Sequence, residues 1–258
     1  MAITAETRKD IIELVVTANN AAPGTALLSD LVAQYEGGAT LADIATTLTT
    51  TAPFTTTYPS FQTATEFATE WLGNLIPEAS AAAMAEGISV AVGMLNSGTS
   101  YGALILEAQT FLSALAETDA SFGTSAALFN NRVEVATHYT VTLEQDGDAD
   151  TLSGLMVGIS SDDATVTSAT AANTTAANTA ATTGSTFALT TGTDILTGTA
   201  KNDTFNAVRA GSSGDTETYA PVDQIAGGAG TDSIYIETDI ATTNLSTQTG
   251  LEVIQINT

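Results

Sequence analysis

The 258-residue chain has no cysteine, one histidine, one tryptophan and only 5 lysine and arginine residues together. Each scarcity removes a class of chemistry. Without cysteine there is no disulfide framework, thiolate metal site or cysteine nucleophile, and the redox compartment leaves no mark. His138 is the sole histidine, so sites built on several imidazoles and the H-E-x-x-H arrangement are absent. The few basic residues form no cluster, which excludes a nucleic-acid-binding face, because neutralising phosphates takes grouped Lys and Arg. No stretch reaches the roughly 18 uninterrupted apolar residues of a membrane span, so membrane insertion is not expected. The N-terminus, MAITAETRKDIIELVV, mixes charges of both signs and lacks the apolar stretch of a Sec signal peptide. If the protein is exported, the route does not read its N-terminus.

Acid is what the chain has in excess: 29 Asp and Glu give a net charge of −24. Such a surface repels anionic lipid unless divalent cations bridge the two, and it makes calcium attractive as a screening ion for acidic loops. An apolar content of 43% is still enough for a core, in one large domain or two small ones. The abundance of Thr, Ala, Gly and Asn without cysteine suits an exported bacterial surface protein.

The first 145 residues read as helices. Ile11, Leu14, Val15 and Ala18 recur at helical spacing, and Pro23-Gly24 interrupts them. A second apolar face, Leu27 to Tyr35, ends at Gly37-Gly38, after which Thr40 caps Leu41 to Leu48. Phe61 to Ile76 is stopped by Pro77 and followed by an alanine-rich segment, Glu78 to Leu95. Tyr35-Glu36-Gly37-Gly38-Ala39-Thr40 is echoed sixty residues later by Leu95-Asn96-Ser97-Gly98-Thr99-Ser100, a glycine ending one helix and a hydroxyl capping the next. That second joint opens a helix to about Ala116, and Ser125 to about Leu143 forms the last. Residues 146–186 change character: an acidic turn, EQDGDAD, is followed by a Ser, Thr, Ala and Asn run from Ser160 to Thr186 that reads as a linker or an extended wrap. Leu152 to Ile159 between them is a candidate short helix. Residues 187–258 read as strands and turns, ending on a strand pattern in keeping with the front of a longer β protein.

Three constellations invite chemical readings. Gly98-Thr99-Ser100-Tyr101-Gly102 matches G-x-S-x-G, with Asp119 and His138 following in hydrolase order. A nucleophile elbow requires a strand before it, whereas this one joins two helical patterns, so Ser100 is expected to be a helix cap and no enzyme activity is expected. Asp146, Asp148 and Asp150 alternate like the opening of an EF-hand loop, but Thr151 replaces the turn glycine and Val157 the closing glutamate. The two readings are a looser calcium site using Glu144 and these three Asp residues, and a solvated acidic turn. Trp71, Tyr35, Tyr58 and Phe61 are either core or a platform for stacking sugar rings.

The strongest signal is a nine-residue rhythm near the C-terminus. Asp194 and Asp203 are nine apart, each followed two places on by an apolar residue, Leu196 and Phe205; Asp223 and Asp232 repeat the pattern with Ile225 and Ile234. Gly227-Gly228-Ala229-Gly230-Thr231-Asp232-Ser233-Ile234-Tyr235 matches all of G-G-x-G-x-D-x-U-x, the nonapeptide of calcium-binding parallel β-rolls. Glycines permit tight turns that present carbonyl oxygens, the Asp adds a hard carboxylate, and the apolar residue enters the core between strands. The candidate calcium residues are Asp194, Asp203, Asp223, Gly227, Gly228, Gly230 and Asp232. In the earlier copies Thr190, Thr199 and Lys201 replace glycines, so a ready-made cage there is in doubt, and ordinary Asp and Gly turns are the alternative.

At FALTTGTDILTGTAKNDTFNA and DQIAGGAGTDSIYI, closing with GLEVIQINT, the sequence resembles the surface-layer (S-layer) proteins that Gram-negative bacteria export by type I secretion. Similar phrases occur in other type I-secreted adhesins and calcium-dependent repeat proteins. Upstream, LFNNRVEVATHYT and the Gly-Thr/Ser joints resemble the helical N-terminal domains that precede such regions. The resemblance implies a mainly α-helical anchoring domain followed by the start of an RTX-like parallel β-roll or solenoid. It implies an extracellular location at the bacterial surface, calcium as the bound ion, lipopolysaccharide as the anchor and self-association into a two-dimensional lattice. The alternative is the N-terminal module of a secreted adhesin or extracellular hydrolase. No glycan-binding residue carries over by motif. Type I secretion signals lie at the extreme C-terminus, and the lack of one here is in keeping with a partial chain.

Overall fold

Helices come first and parallel strands last, as the periodicities require. The computed structural model describes residues 3–210, 216–238 and 248–257. The chain divides into two compact units, Met1–Thr174 and Thr175–Thr258. In the first, α1 (Ala5–Asn19), α2 (Gly24–Glu36), α3 (Leu41–Leu48), α4 (Ala52–Thr57), α5 (Ala64–Leu75), α6 (Ala81–Asn96), α7 (Tyr101–Ala114) and α8 (Gly123–Thr137) follow in order, α8 running into a π-helical turn, His138–Thr142. The short helix α9 (Ala149–Gly154) precedes α10 (Asp163–Thr182). No single helix among the described residues is long and apolar enough to cross a membrane.

Short-range chemistry sets the helix ends. Thr40 and Thr63 close capping boxes with Asp43 and Glu66, while Ser80 and Ser100 accept the N–H of Ala83 and Ala103. The echoed joints share a conformation: Gly38 and Gly98 have φ of +103° and +94°, and the N–H groups of Ala39 and Thr99 reach back to the carbonyls of Gln34 and Met94 at 3.0 and 3.1 Å. Glycine is needed there because an L side chain resists positive φ.

The core of this unit surrounds α1, whose Ile11, Leu14 and Val16 are wholly buried. Trp71 and Tyr58 are buried too, 1% and 4% exposed, so the sugar-platform reading fails for both. Phe67 stacks between Trp71 and Tyr101 with ring centroids 5.7 and 4.2 Å away, and the indole N–H of Trp71 donates to the Thr17 carbonyl at 2.9 Å. Phe61, by contrast, stands exposed.

The Ser160–Thr186 run differs from the linker or wrap expected of it, because most of it is α10. Its threonines explain how. The hydroxyls of Thr170, Thr174 and Thr179 each donate to the carbonyl four residues back, at 2.9, 2.8 and 2.8 Å, so the polar side chains are satisfied along the helix itself. Alanines supply helix propensity, and Val166 anchors the first turns in the helical core. The helical unit therefore extends to Thr174 and not to residue 145.

In the second unit, β1 (Thr183–Ala188), β3 (Asn202–Ala207), β5 (Ser233–Glu237) and β7 (Val253–Asn257) form one sheet in that order. The second sheet is β2 (Ile195–Thr197), β4 (Gln224–Ala226) and β6 (Gln248–Thr249). The pairings between these seven strands are parallel, and successive strands alternate between the two sheets. The rhythm's apolar positions point inward: Phe205, Ile225 and Ile234 are buried, and Phe187 stacks on Phe205 at 4.9 Å. Register places Phe187, Phe205, Ile234 and Ile254 side by side across one sheet.

Candidate metal centre: the aspartate ladder

Asp194, Asp223 and Asp232 stand directly before β2, β4 and β5, Asp203 is the second residue of β3, and the stacking sets neighbouring carboxylates along common columns. Asp203, Asp223 and Asp232 are 1%, 0% and 0% exposed, and Asp194 is half-buried. A buried carboxylate must be paired or hydrogen-bonded, and here the backbone supplies most of the donors. One oxygen reaches along the stack: Asp203 Oδ1 accepts the Ser185 N–H at 2.5 Å, Asp232 Oδ1 the Asp203 N–H at 2.7 Å, and Asp223 Oδ1 the Asp194 N–H at 2.9 Å. Glu252 continues the first column by accepting the Asp232 N–H at 2.7 Å.

The other oxygen closes the residue's own turn, and here the copies differ. Asp194 Oδ2 accepts the Thr190 N–H at 2.8 Å, and Asp203 Oδ2 accepts the Thr199 N–H at 2.6 Å. Both threonine hydroxyls add a bond to the same carboxylate, at 3.1 Å in each case, and each accepts the N–H two residues on, from Gly192 and Lys201. Asp223 Oδ2 accepts the Ala220 N–H at 2.7 Å. Asp232 Oδ2 is buried and has no hydrogen-bond partner. Burial pushes the Asp203 carboxyl up, but the N–H groups of Thr199 and Ser185 and the Thr199 hydroxyl outweigh it and hold it below the usual carboxylate range.

The turn with the unpartnered oxygen is the full glycine copy. Gly228 and Gly230 have φ of +106° and +122°. A Cβ on Gly227 would run into the Gly250 carbonyl oxygen and the Asp232 carboxylate, one on Gly228 into the Thr199 carbonyl oxygen, and one on Gly230 into the Lys201 carbonyl. The glycines thus let neighbouring turns pack carbonyl oxygens against this turn, with the Gly250 carbonyl and the unpartnered Asp232 Oδ2 both beside Gly227. A hard cation suits that donor set, so Gly227, Gly228, Gly230 and Asp232 fit calcium. Asp194 and Asp203, whose oxygens are taken by N–H and hydroxyl donors, do not offer the same opening.

The other sequence candidates separate. Asp148 caps α9 by accepting the Thr151 N–H at 2.8 Å, the Asp146 carboxylate accepts the Gly147 N–H at 3.0 Å, and Asp150 lies exposed in the first turn of α9. No group of three His, Cys, Asp or Glu residues able to hold a metal occurs among the described residues. Ser100 caps α7, Asp119 accepts the N–H groups of Ser121 and Phe122, and His138 opens the π-helical turn with Nε2 3.4 Å from the Thr174 hydroxyl. Thr190, Thr199 and Glu252 bond the ladder although the nine-residue pattern does not mark them as partners. The threonines carried a signal, since each stands four residues before its Asp.

Comparison with protein-family models gives no match, and no curated protein matches the sequence significantly.

Proposed function

We propose that the protein is a structural protein of the bacterial cell surface. In this reading the helical unit anchors a surface layer to lipopolysaccharide, and the strand unit begins an RTX-like β-roll whose assembly calcium supports. The observation that carries the proposal is the nine-residue aspartate rhythm realised as two parallel sheets with alternating strands and stacked acidic turns. A roll built from such repeats requires this arrangement, and ordinary Asp and Gly turns do not. Gly227, Gly228, Gly230 and Asp232 would hold calcium, which would supply the positive charge that the unpartnered Asp232 oxygen lacks. Calcium would also let a chain of charge −24 approach an anionic glycolipid. Type I export and a location outside the cell belong to the same proposal.

The anchoring test is co-sedimentation of the protein with purified lipopolysaccharide, in calcium and in chelator. Binding in calcium that weakens in chelator is expected. Absence of binding in both buffers would remove the anchoring role.

A further inference from the structure

The aspartate ladder contains two kinds of turn, and the difference lies in what closes them. In the glycine turn a buried carboxylate oxygen of Asp232 is left without a donor. In the turns ending at Asp194 and Asp203, Thr190 and Thr199 complete the closure. Each threonine does three things at once. Its N–H donates to the carboxylate, its hydroxyl donates to the same carboxylate, and that hydroxyl accepts the N–H two residues further on. The hydroxyl thereby links an anion to a backbone donor, a bridging task that a cation performs with carbonyls in a glycine turn. A metal entering either turn would have to displace N–H groups already bonded to the carboxylate, and a cation repels those donors. The nearest acids along the stack, Asp223 and Asp232, already accept the N–H groups of Asp194 and Asp203, and no group of three His, Cys, Asp or Glu residues placed to hold a metal occurs among the described residues.

We infer that Thr190 and Thr199 close their turns in place of a metal ion, so that the first two turns of the strand unit are built without calcium. Strands β1, β2 and β3 then form a pre-closed end of the stack. The Asp203 N–H presented by that end bonds the Asp232 carboxylate, which couples the metal-free part to the glycine turn. The calcium-supported repeat proposed above is the frame of this inference, yet the closure by threonine can be true or false whether or not the glycine turn binds the ion.

The test is amide hydrogen exchange on the full chain, resolved by residue, in EDTA and in millimolar calcium. The amides of Ser185, Thr190, Thr199 and Lys201 are expected to be protected in EDTA and to change by less than about twofold when calcium is added. Thr199→Val should reduce protection of the Thr199 and Lys201 amides by roughly five- to tenfold, the worth of one hydrogen bond, and calcium should not restore it. Protection of the wild-type amides that appears only with calcium would overturn the inference, as would exchange that is unprotected in both buffers. Restoration of the Thr199→Val turn by calcium would overturn it as well. Protected threonine turns beside a glycine turn that ignores calcium would support threonine closure while removing the calcium site from the proposed function.

Discussion

Removing the guanidinium of Arg132 tests how the helical unit is held together. Helix α5 ends at Leu75, Ile76 leaves the helix, and Pro77 has no N–H, so the last carbonyls of α5 lack a local partner. Arg132 on α8 supplies one: its Nη1 donates to the carbonyls of Asn74 at 2.8 Å and Leu75 at 3.1 Å, with the residue only 5% exposed. Two bonds from a charged donor are worth about 1.5–3 kcal/mol each. A cation at a helix C-terminus adds up to about 2 kcal/mol in a partly buried setting. Burial opposes this by pushing the Arg132 pKa down, with Glu78 acting the other way, so keeping the charge buried has a cost. Relief of that cost in the variant brings the expected net loss for Arg132→Ala to about 3 kcal/mol. Arg132→Lys keeps a charge but loses the planar fork, and should fall about midway. Urea unfolding followed by the fluorescence of Trp71, the sole tryptophan and a residue of α5 itself, is the assay. The Arg132→Ala midpoint should drop by about 1 M or more. A loss below about 0.5 kcal/mol would show that the buried guanidinium does not hold the end of α5.

Trp71→Phe retains a ring against Phe67 but removes the donor to the Thr17 carbonyl, leaving that carbonyl buried without it. Circular dichroism melts should show a loss of about 1–3 kcal/mol, and an unchanged melt would refute that role for the indole N–H. Acid should weaken the helix caps. The Thr40 N–H and hydroxyl hold the Asp43 carboxyl low, and those of Thr63 do the same for Glu66. A depressed folded-state pKa stabilises fully above the ordinary carboxylate value of about 4 and is lost as pH falls through the depressed value. Protonation also relieves repulsion in a chain of charge −24, so the readout is the difference between wild type and a Thr40→Ala, Thr63→Ala double variant. The variant should be less stable near neutral pH, and the gap should narrow but not close below about pH 3, because the Thr40 and Thr63 hydroxyls still accept the Asp43 and Glu66 N–H groups there; a gap independent of pH would refute the linkage.

The sequence by itself determined the caps and breaks that bound α3, α5 and α7 and where the β rhythm runs. Those features rest on residues a few places apart: Thr40 with Asp43, Gly98 before Ser100, Pro77 after α5, and an apolar residue two positions after each repeated Asp. Tertiary structure decided the rest, because the deciding partner is distant in sequence or the composition favours two states at once. Arg132 reads as one polar residue among apolar ones until the carbonyls it serves, 57 and 58 residues away, are in place. The Thr- and Ala-rich run reads as a linker until its hydroxyls fold back on their own helix and Val166 reaches the core. Trp71 and Tyr58 could stack on a sugar or on each other's neighbours, and packing against Phe67 chose the second. The four repeated aspartates look alike as a pattern. Stacking of turns 29 residues apart gives Asp223 and Asp232 their donors along the column, and of the four aspartates only the one in the glycine turn leaves a buried oxygen over.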